Sequence, residues 1–245
     1  MSNLIFILRK KTLAIFGLTV LGCAAALGCT LAHGALPAFL SESAADSPVI
    51  VIDAGHGGED GGAVSADGVV ESGINLAIAQ ELNELFRFLG CETKMTRTED
   101  AAIYSDGAKT LREKKSSDLK NRAALVNGTP NAVLLSIHQN SLPASRSVHG
   151  AQVFYGGADG SRELADAIQS ALNTTVNAGS GKSSKRIEPT IFLMKSVTCP
   201  AVLVECGFLS NVEETARLQD SGYQRMLAVT IAAGFLAGQT MQTNE

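Results

Sequence analysis

The sequence predicts an α/β fold, a three-layer sandwich in which a mostly parallel, twisted sheet carries helices on both faces. Two observations predict it. Apolar runs typical of buried strands alternate along the chain with amphipathic runs typical of helices, and that order favours a parallel sheet. In addition, 45% of the 245 residues are hydrophobic, which is enough to bury the core of one medium domain.

The chain is expected to have three parts: a leader over residues 1–40, a linker over residues 41–48 and one globular domain over residues 49–240. An apolar run from Leu13 to Ala32 identifies the leader, and it follows the basic residues Arg9, Lys10 and Lys11. Such a run is typical of a signal peptide and is also long enough for an N-terminal membrane anchor. Either alternative predicts that the domain is exported.

The domain is acidic. Three of the 20 basic residues lie in the leader, so 17 remain against 24 acidic residues, and the net charge of the rest is −7. This balance argues against a nucleic acid as partner and against adhesion to anionic polymers. Beyond the leader, Cys91, Cys199 and Cys206 form an odd set without a CxxC pair, which does not predict a disulfide framework.

The domain is predicted to begin with strand, loop, helix and strand. Val49–Asp53 is an apolar run stopped by glycine, so a buried strand is expected, and Ala54–Val70 is a glycine-rich loop. Glu71–Leu89 has one apolar stripe at helical spacing, and Gly90 is typical of a helix end. Glu92–Thr96 is predicted as the next strand.

The middle of the domain is predicted from shorter patterns. Arg97–Ser116 is polar and charged, and an irregular segment is expected there. A helix over Ser117–Val126 follows, with strands over Ala132–Ile137 and Ala151–Tyr155 and then a helix over Ser161–Val176.

The last part is predicted to contain a flexible basic loop, two strands and two helices. The loop is Gly179–Lys185, and the strands are the apolar runs Thr190–Met194 and Ala201–Val204. The first helix is capped by Asn211, with Glu214 placed for a capping box, and the second spans Gly222–Ala237.

Four ionisable residues stand out because each opens or follows a predicted element. His56 lies in the loop after the first strand, His138 and Glu205 end two later strands, and Glu71 opens the first helix. Since ligands of parallel sheets bind beyond the carboxyl ends of the strands, these residues are expected to converge on one site. Two imidazoles and a carboxylate can bind zinc and leave a position for water, and a second carboxylate can take that water's proton.

Each of these residues also has a simpler explanation. A histidine among glycines can be merely exposed, and a histidine after an apolar strand can be a hydrogen-bonded core residue. An acid in the first turn of a helix is favoured by the helix dipole. Glu205 is harder to explain, because it directly follows the apolar run Ala201–Val204, and an unpaired buried charge is unfavourable. The interpretation as a metal site therefore rests on the four residues jointly.

Four sequence blocks carry a resemblance to a known family. They are Val-Ile-Asp-Ala-Gly-His-Gly-Gly (Val51–Gly58), Glu71, Ser-Ile-His-Gln-Asn (Ser136–Asn140) and Leu-Val-Glu-Cys-Gly-Phe-Leu-Ser-Asn (Leu203–Asn211). Together with the spacing of Met95–Arg97 and Leu119–Asn127, they resemble the zinc-dependent N-acetylmuramoyl-L-alanine amidases over nearly the whole of residues 49–238.

The resemblance implies an α/β amidase catalytic domain over residues 49–240. It implies one zinc ion per chain, bound by His56, Glu71 and His138, and Glu205 as the catalytic acid/base. The implied substrate is peptidoglycan, cleaved at the amide between the lactyl group of muramic acid and L-alanine.

Three further residues are candidates for supporting roles. Asp53 and Asn140 could orient the two histidines, although Asp53 could equally cap its strand. Arg186, flanked by Lys182 and Lys185, could bind carboxylates of the peptide stem or could lie in a solvated loop.

Within that family, the chain resembles the amidases of spore cortex formation. The similar segments are Lys185–Ile187, Phe192–Met194 with Val197–Thr198, and Gly150–Tyr155. This implies removal of peptide stems so that muramic-δ-lactam can form, in the cell wall or the forespore intermembrane space. The alternatives are a vegetative cell-separation autolysin and a zinc-bearing wall-binding protein without turnover. No plug helix is expected in Gly156–Lys185, so control by expression, location or an activating envelope protein is expected.

Overall fold

The computed structural model describes residues 47–177 and 181–242. The predicted leader over residues 1–40 and most of the predicted linker lie outside the described residues. Among the residues that are described, no helix is long and apolar enough to cross a membrane.

Strands and helices alternate in the described part of the chain, as the sequence predicts. The strands are β1 (Val49–Ala54), β2 (Thr93–Met95), β3 (Ala132–Asn140), β4 (Gln152–Tyr155), β5 (Lys185–Arg186) and β6 (Ala201–Phe208). The helices are α1 (Glu71–Phe88), α2 (Leu111–Asn127), α3 (Ser161–Thr174), α4 (Phe192–Ser196), α5 (Val212–Leu218) and α6 (Ser221–Gln242).

The strands form one sheet in the order β2-β1-β3-β6-β4-β5. β1 is parallel to β2 and β3, and β3 is parallel to β6. β4 is antiparallel to β6 and parallel to β5. The sheet is therefore mostly parallel, as predicted, and the carboxyl ends of β1, β3 and β6 lie at the same edge.

Helices cover both faces of the sheet. On β1, Ile50 and Ile52 pack into one core with α1, α3 and α6, whereas Val51 packs into a second core with α2 and α4. The same alternation on β3 places Val133 in the first core and Leu134 in the second. Strands buried on both faces need nearly continuous apolar sequences, which is why these runs could be recognised. The predicted three-layer architecture is confirmed.

The predicted strand over Thr190–Met194 is wrong. Phe192–Ser196 form the short helix α4, and the edge strand β5 lies earlier, at Lys185–Arg186. The two buried residues of this segment, Leu193 and Met194, are adjacent in sequence, whereas a half-buried strand would alternate. An apolar run of this length cannot be assigned to a strand or a helix from periodicity alone.

Helix α2 begins at Leu111, inside the segment Arg97–Ser116 that the sequence predicts to be irregular. A capping box starts it: the Thr110 hydroxyl accepts a hydrogen bond from the Glu113 N–H at 3.2 Å, and the Glu113 carboxylate accepts one from the Thr110 N–H at 2.9 Å. The first turns of α2 are exposed and charged. No apolar stripe therefore marks them in the sequence.

Asn211 caps α5 as predicted, since its side-chain oxygen accepts a hydrogen bond from the Glu214 N–H at 3.1 Å. The predicted capping box is not formed. The Glu214 carboxylate instead accepts hydrogen bonds from the N–H groups of Gly150 and Phe208, both at 2.8 Å. The side chain thereby ties the segment before β4 to the end of β6.

Candidate metal centre

His56 lies in the loop after β1 with a left-handed backbone conformation, φ = 62°, which is uncommon for a residue with a side chain. Two arginines stabilise this loop. Arg122 of α2 donates hydrogen bonds to the carbonyl oxygens of Ala54 and His56, both at 2.7 Å. Arg97 donates to the carbonyl oxygens of Ala54 at 2.8 Å and Gly55 at 3.0 Å. These buried guanidinium groups fix the backbone that presents the His56 ring.

Glu71, the first residue of α1, is 3% exposed and lies beside both histidines. Its Oε2 accepts a hydrogen bond from the Ala63 N–H at 2.8 Å, and its Oε1 accepts from the Asn75 amide at 3.0 Å and the Gln139 N–H at 3.1 Å. Burial would raise the pKa of Glu71, but the hydrogen bond from His138 and the charges of both histidines lower this pKa to about 2. Glu71 is therefore a carboxylate at neutral pH.

His138 and Glu205 are paired across the parallel strands β3 and β6, so their side chains lie on the same face of the sheet. His138 Nδ1 lies 2.9 Å from Glu71 Oε1. Burial would lower the pKa of His138, but the hydrogen bond with Glu71 and the charge of Glu205 raise it above its ordinary value.

Glu205 is the second carboxyl group of the site, and its side chain is partly buried. Its Oε2 is fully enclosed, and it has no hydrogen-bond partner among the residues described. Burial raises the pKa of Glu205 to about 7. The charge of His138 lowers this pKa, whereas the negative charge of Glu71 raises it further. An enclosed oxygen without a partner is unfavourable, so its position is best explained by a group from outside the chain. A carboxyl with a pKa near neutrality can both accept and return a proton.

His56, Glu71 and His138 could hold a metal ion. One ligand atom of each lies within 4.8 Å of the others, and the two imidazole rings meet edge to face with centroids 5.1 Å apart. Two imidazoles and one carboxylate are a ligand set that suits zinc at a catalytic site, where a fourth position stays open for water or substrate. The structure thus brings all four predicted residues to the edge where the sequence places them, and the donor set fits the metal.

Asp53 makes no hydrogen bond to either histidine within the described residues. Its carboxylate accepts hydrogen bonds from Arg122 at 2.8 Å, Thr96 at 2.8 Å and Ser136 at 2.7 Å. Arg122 lies between Asp53 and the His56 loop, since it also donates to the His56 carbonyl oxygen. A role of Asp53 in orienting the histidines stays a prediction.

Asn140, the other candidate, ends β3, and its carbonyl oxygen accepts a hydrogen bond from the Leu209 N–H at 2.8 Å. Within the described ranges, the Asn140 side chain makes no hydrogen bond to His138. A role of Asn140 at the metal site stays a prediction.

Arg186 lies away from the histidines. It is exposed on β5, beside Tyr155 of β4, which in turn pairs with Val202 at the start of β6. Because Glu205 lies three residues further along β6, Arg186 is nearer the opposite edge of the sheet. There it lines an open groove with Tyr155 and Arg162. Binding of a peptide stem by Arg186 stays a prediction, and the structure gives it no direct contact with the metal site.

Sequence reasoning missed three supporting residues: Asp60, which contacts the His56 ring, Asn75, which contacts Glu71, and Arg122. Weak signals for two of them exist. Asp60 follows His56 by four positions in the glycine-rich loop, and Asp118 and Arg122 have the i, i+4 spacing of a helical ion pair. The second signal does not reveal that Arg122 also pairs with Asp53, which lies 69 positions away in the chain.

The fold and the site define a class. An α/β domain with a His-Glu-His group at the carboxyl ends of parallel strands, next to a partly buried carboxyl group, is typical of metal-dependent hydrolases. The chain belongs to the N-acetylmuramoyl-L-alanine amidase family, whose model matches residues 50–237. It is thus a peptidoglycan amidase, and the resemblance found in the sequence is confirmed.

Individual relatives agree with this assignment. A germination-specific N-acetylmuramoyl-L-alanine amidase of Bacillus subtilis (strain 168) is 36% identical over 189 residues, which are 77% of this chain and 78% of that protein. The solved structure of the CwlD amidase from Clostridioides difficile, in complex with the GerS lipoprotein, matches with a TM-score of 0.76 and 36% identity, over 80% of this chain and 100% of that one. The solved structure of an N-acetylmuramoyl-L-alanine amidase from Clostridium difficile 630 matches with a TM-score of 0.67 and 31% identity. The match covers 80% of this chain and 98% of that one.

Proposed function

We propose that this chain is a zinc-dependent amidase of spore cortex formation. In this proposal His56, Glu71 and His138 bind one zinc ion, and Glu205 is the catalytic acid/base. The enzyme removes peptide stems from muramic acid so that muramic-δ-lactam can form. The observation that carries the catalytic assignment is the enclosed, unpartnered Oε2 of Glu205 beside the His-Glu-His group.

The mechanism follows from the positions of these side chains. A bound zinc ion supplies Lewis-acid chemistry, which makes water a better nucleophile at neutral pH and polarises a carbonyl group. The Glu205 carboxylate accepts a proton from the attacking water as its oxygen bonds to the lactyl carbonyl carbon. The protonated Glu205 then donates to the alanine nitrogen as the C–N bond breaks. Burial of Glu205 raises its pKa above that of an ordinary glutamate, which favours its acceptance of the proton.

The first test compares the purified wild-type protein with Glu205→Gln on denuded peptidoglycan. Mass spectrometry measures free peptide stems that begin with L-alanine and muramic acid that has lost its stem. We expect the wild type to release both products, and the variant to bind zinc normally but to lose about 10²- to 10⁴-fold in rate, because amide nitrogen cannot take the water's proton.

Glu213→Gln is the matched control, since Glu213 is an exposed acid of α5. It should cleave like the wild type. Wild-type turnover by Glu205→Gln would remove Glu205 from the mechanism. Zinc binding without cleavage by the wild type would favour the wall-binding alternative or a required partner.

The spore cortex role is supported by the 36% identity to a germination-specific amidase and to CwlD. The test is expression of the chain in a spore-forming host that lacks its own cortex amidase. We expect muramic-δ-lactam to return to the cortex with the wild type but not with Glu205→Gln. Restored separation of vegetative cells without the lactam would instead indicate an autolysin.

Location and partners complete the proposal. We propose residues 1–40 as a signal peptide or membrane anchor, residues 41–48 as a linker and residues 49–240 as the catalytic domain acting outside the cytoplasmic membrane. The complex of CwlD with a lipoprotein supports an envelope protein as a partner of this chain as well.

A further inference from the structure

The two nitrogens of the His56 ring face different carboxylates. Nε2 lies 3.5 Å from Glu71 Oε2, on the side of the candidate metal site. Nδ1 lies 3.0 Å from Asp60 Oδ2, on the other side. Asp60 is therefore placed behind the ring, where it can contact the histidine without taking a position at the metal.

Asp60 is itself held by a residue from another element. Lys115 of α2 places its Nζ 3.0 Å from Asp60 Oδ2, the oxygen that also contacts the His56 ring. The preceding residue, Glu59, forms a similar ion pair with Lys114. The loop and α2 are thus joined by two adjacent acid–lysine pairs. Asp60 contacts the His56 ring, whereas Glu59 makes no hydrogen bond to it within the described residues.

We infer that Asp60, oriented by Lys115, is a positioning residue that fixes the tautomer and the direction of the His56 ring for metal binding. A carboxylate accepts hydrogen bonds and does not donate them, so its contact places the ring proton on Nδ1. The lone pair of Nε2 then points to the side of Glu71 and His138. Carboxylates behind a ligating histidine commonly have this effect, and their removal typically lowers metal affinity by 10- to 100-fold. The inference rests on the proposed metal ligands.

The same contact links the loop that carries His56 to α2. The His56 ring is oriented through Asp60 and Lys115, and its backbone is held by Arg122, which also belongs to α2. The first turns of α2, which the sequence did not predict as helix, thus support one of the three candidate ligands.

The test measures zinc affinity of the full-length chain by competition with a chromophoric chelator. Asp60→Ala is expected to bind zinc 10- to 100-fold more weakly than the wild type. Glu59→Ala is the matched control, because it removes the neighbouring acid and its ion pair without touching the ring, and its affinity should stay within about threefold. The melting temperatures of the metal-free proteins show whether either variant is unfolded.

Nitrogen NMR of the histidine rings provides a readout that a general loss of stability does not change. In the metal-free wild type, the neutral His56 ring should carry its proton on Nδ1, and Asp60→Asn should retain more of this signal than Asp60→Ala, since an amide oxygen can still accept. Unchanged zinc affinity in folded Asp60→Ala, or an equal loss in Glu59→Ala, overturns the inference. If Asp60→Ala behaves like the wild type while the wild type cleaves peptidoglycan, only the inference fails. If zinc affinity depends on Asp60 but nothing is cleaved, only the proposed function fails.

Discussion

Gly55 and Gly62 lie so close to the candidate metal ligands that a side chain at either position would not fit. A Cβ built on Gly55 would lie 2.2 Å from Cε1 of His138, and one on Gly62 would lie 2.5 Å from Oε2 of Glu71. These distances are far below van der Waals contact. Gly62 also has φ = 73°, which an L side chain rarely adopts. The conformation of the glycine-rich loop thus leaves room for the side chains of the candidate metal ligands.

Gly55→Ala is expected to weaken zinc binding at least about tenfold, because the methyl group displaces the His138 ring from its position beside Glu71. Isothermal titration of the metal-free protein measures the affinity.

Gly73→Ala is the matched control for this prediction. Gly73 is exposed in the first turns of α1, and a Cβ there meets no atom within 4 Å. This variant should bind zinc like the wild type and should be more stable by up to about 1 kcal/mol, since alanine favours the helix. Equal zinc affinities for both variants would contradict the steric explanation.

At the scale of elements, α2 connects the second core, which it forms with α4 and the sheet, to the loop that carries His56. Its buried residues include Ala123 and Val126, which pack under the sheet, and Arg122, which reaches the His56 loop. Its first turns are instead exposed, and they depend on the capping box of Thr110 and Glu113. Local hydrogen bonds therefore set where this helix begins.

Thr110→Ala is expected to lower the free energy of unfolding by about 1 kcal/mol, because the N–H of Glu113 loses its acceptor. Urea denaturation followed by circular dichroism measures the change. Ser116→Ala, at an exposed interior position of α2, is the control and should be neutral or slightly stabilising. A loss of the same size in both variants would show that the cap has no special role.

At the scale of the whole molecule, one buried ion pair joins β1 to α2. Arg122 contacts Asp53 at 2.8 Å and Asp118 at 2.7 Å, and Asp53 is almost fully enclosed. Burial would raise the pKa of Asp53, but the charge of Arg122 and the hydrogen bond from Ser136 hold this pKa below its ordinary value. Ionised Asp53 therefore stabilises the fold above the pKa of about 4 that aspartate has in an unfolded chain.

This stabilisation should disappear as the pH falls from about 4 through the lower pKa of the folded state. Asp53→Asn should be less stable than the wild type at pH 7 by about 1–3 kcal/mol, because Arg122 loses a charged partner. The difference should shrink below pH 4. Urea midpoints of the metal-free proteins at pH 7, 5, 4 and 3 measure it, and a difference that stays constant with pH would contradict the assigned ion pair.

Much of the fold could be predicted because its signals are local. The strands β1, β3 and β6 are buried on both faces, so their sequences are continuous apolar runs. The first helix shows its stripe and ends near Gly90 as expected. The start of α2 and the nature of α4 were missed, because a charged first turn and a five-residue apolar run give no periodicity.

The sequence by itself determined the alternation of strands and helices and the four residues at the candidate metal centre, because the order of elements places the carboxyl ends of parallel strands at one edge. Only the tertiary structure decided which groups support these residues. Asp53 pairs with Arg122 rather than with a histidine, and Asp60 contacts the His56 ring. The pairing of Asp53 with Arg122 joins residues 69 positions apart, and the contact of Asp60 with His56 depends on a loop conformation and on Lys115 of α2. Both depend on burial and distance in the folded state, which no local pattern encodes.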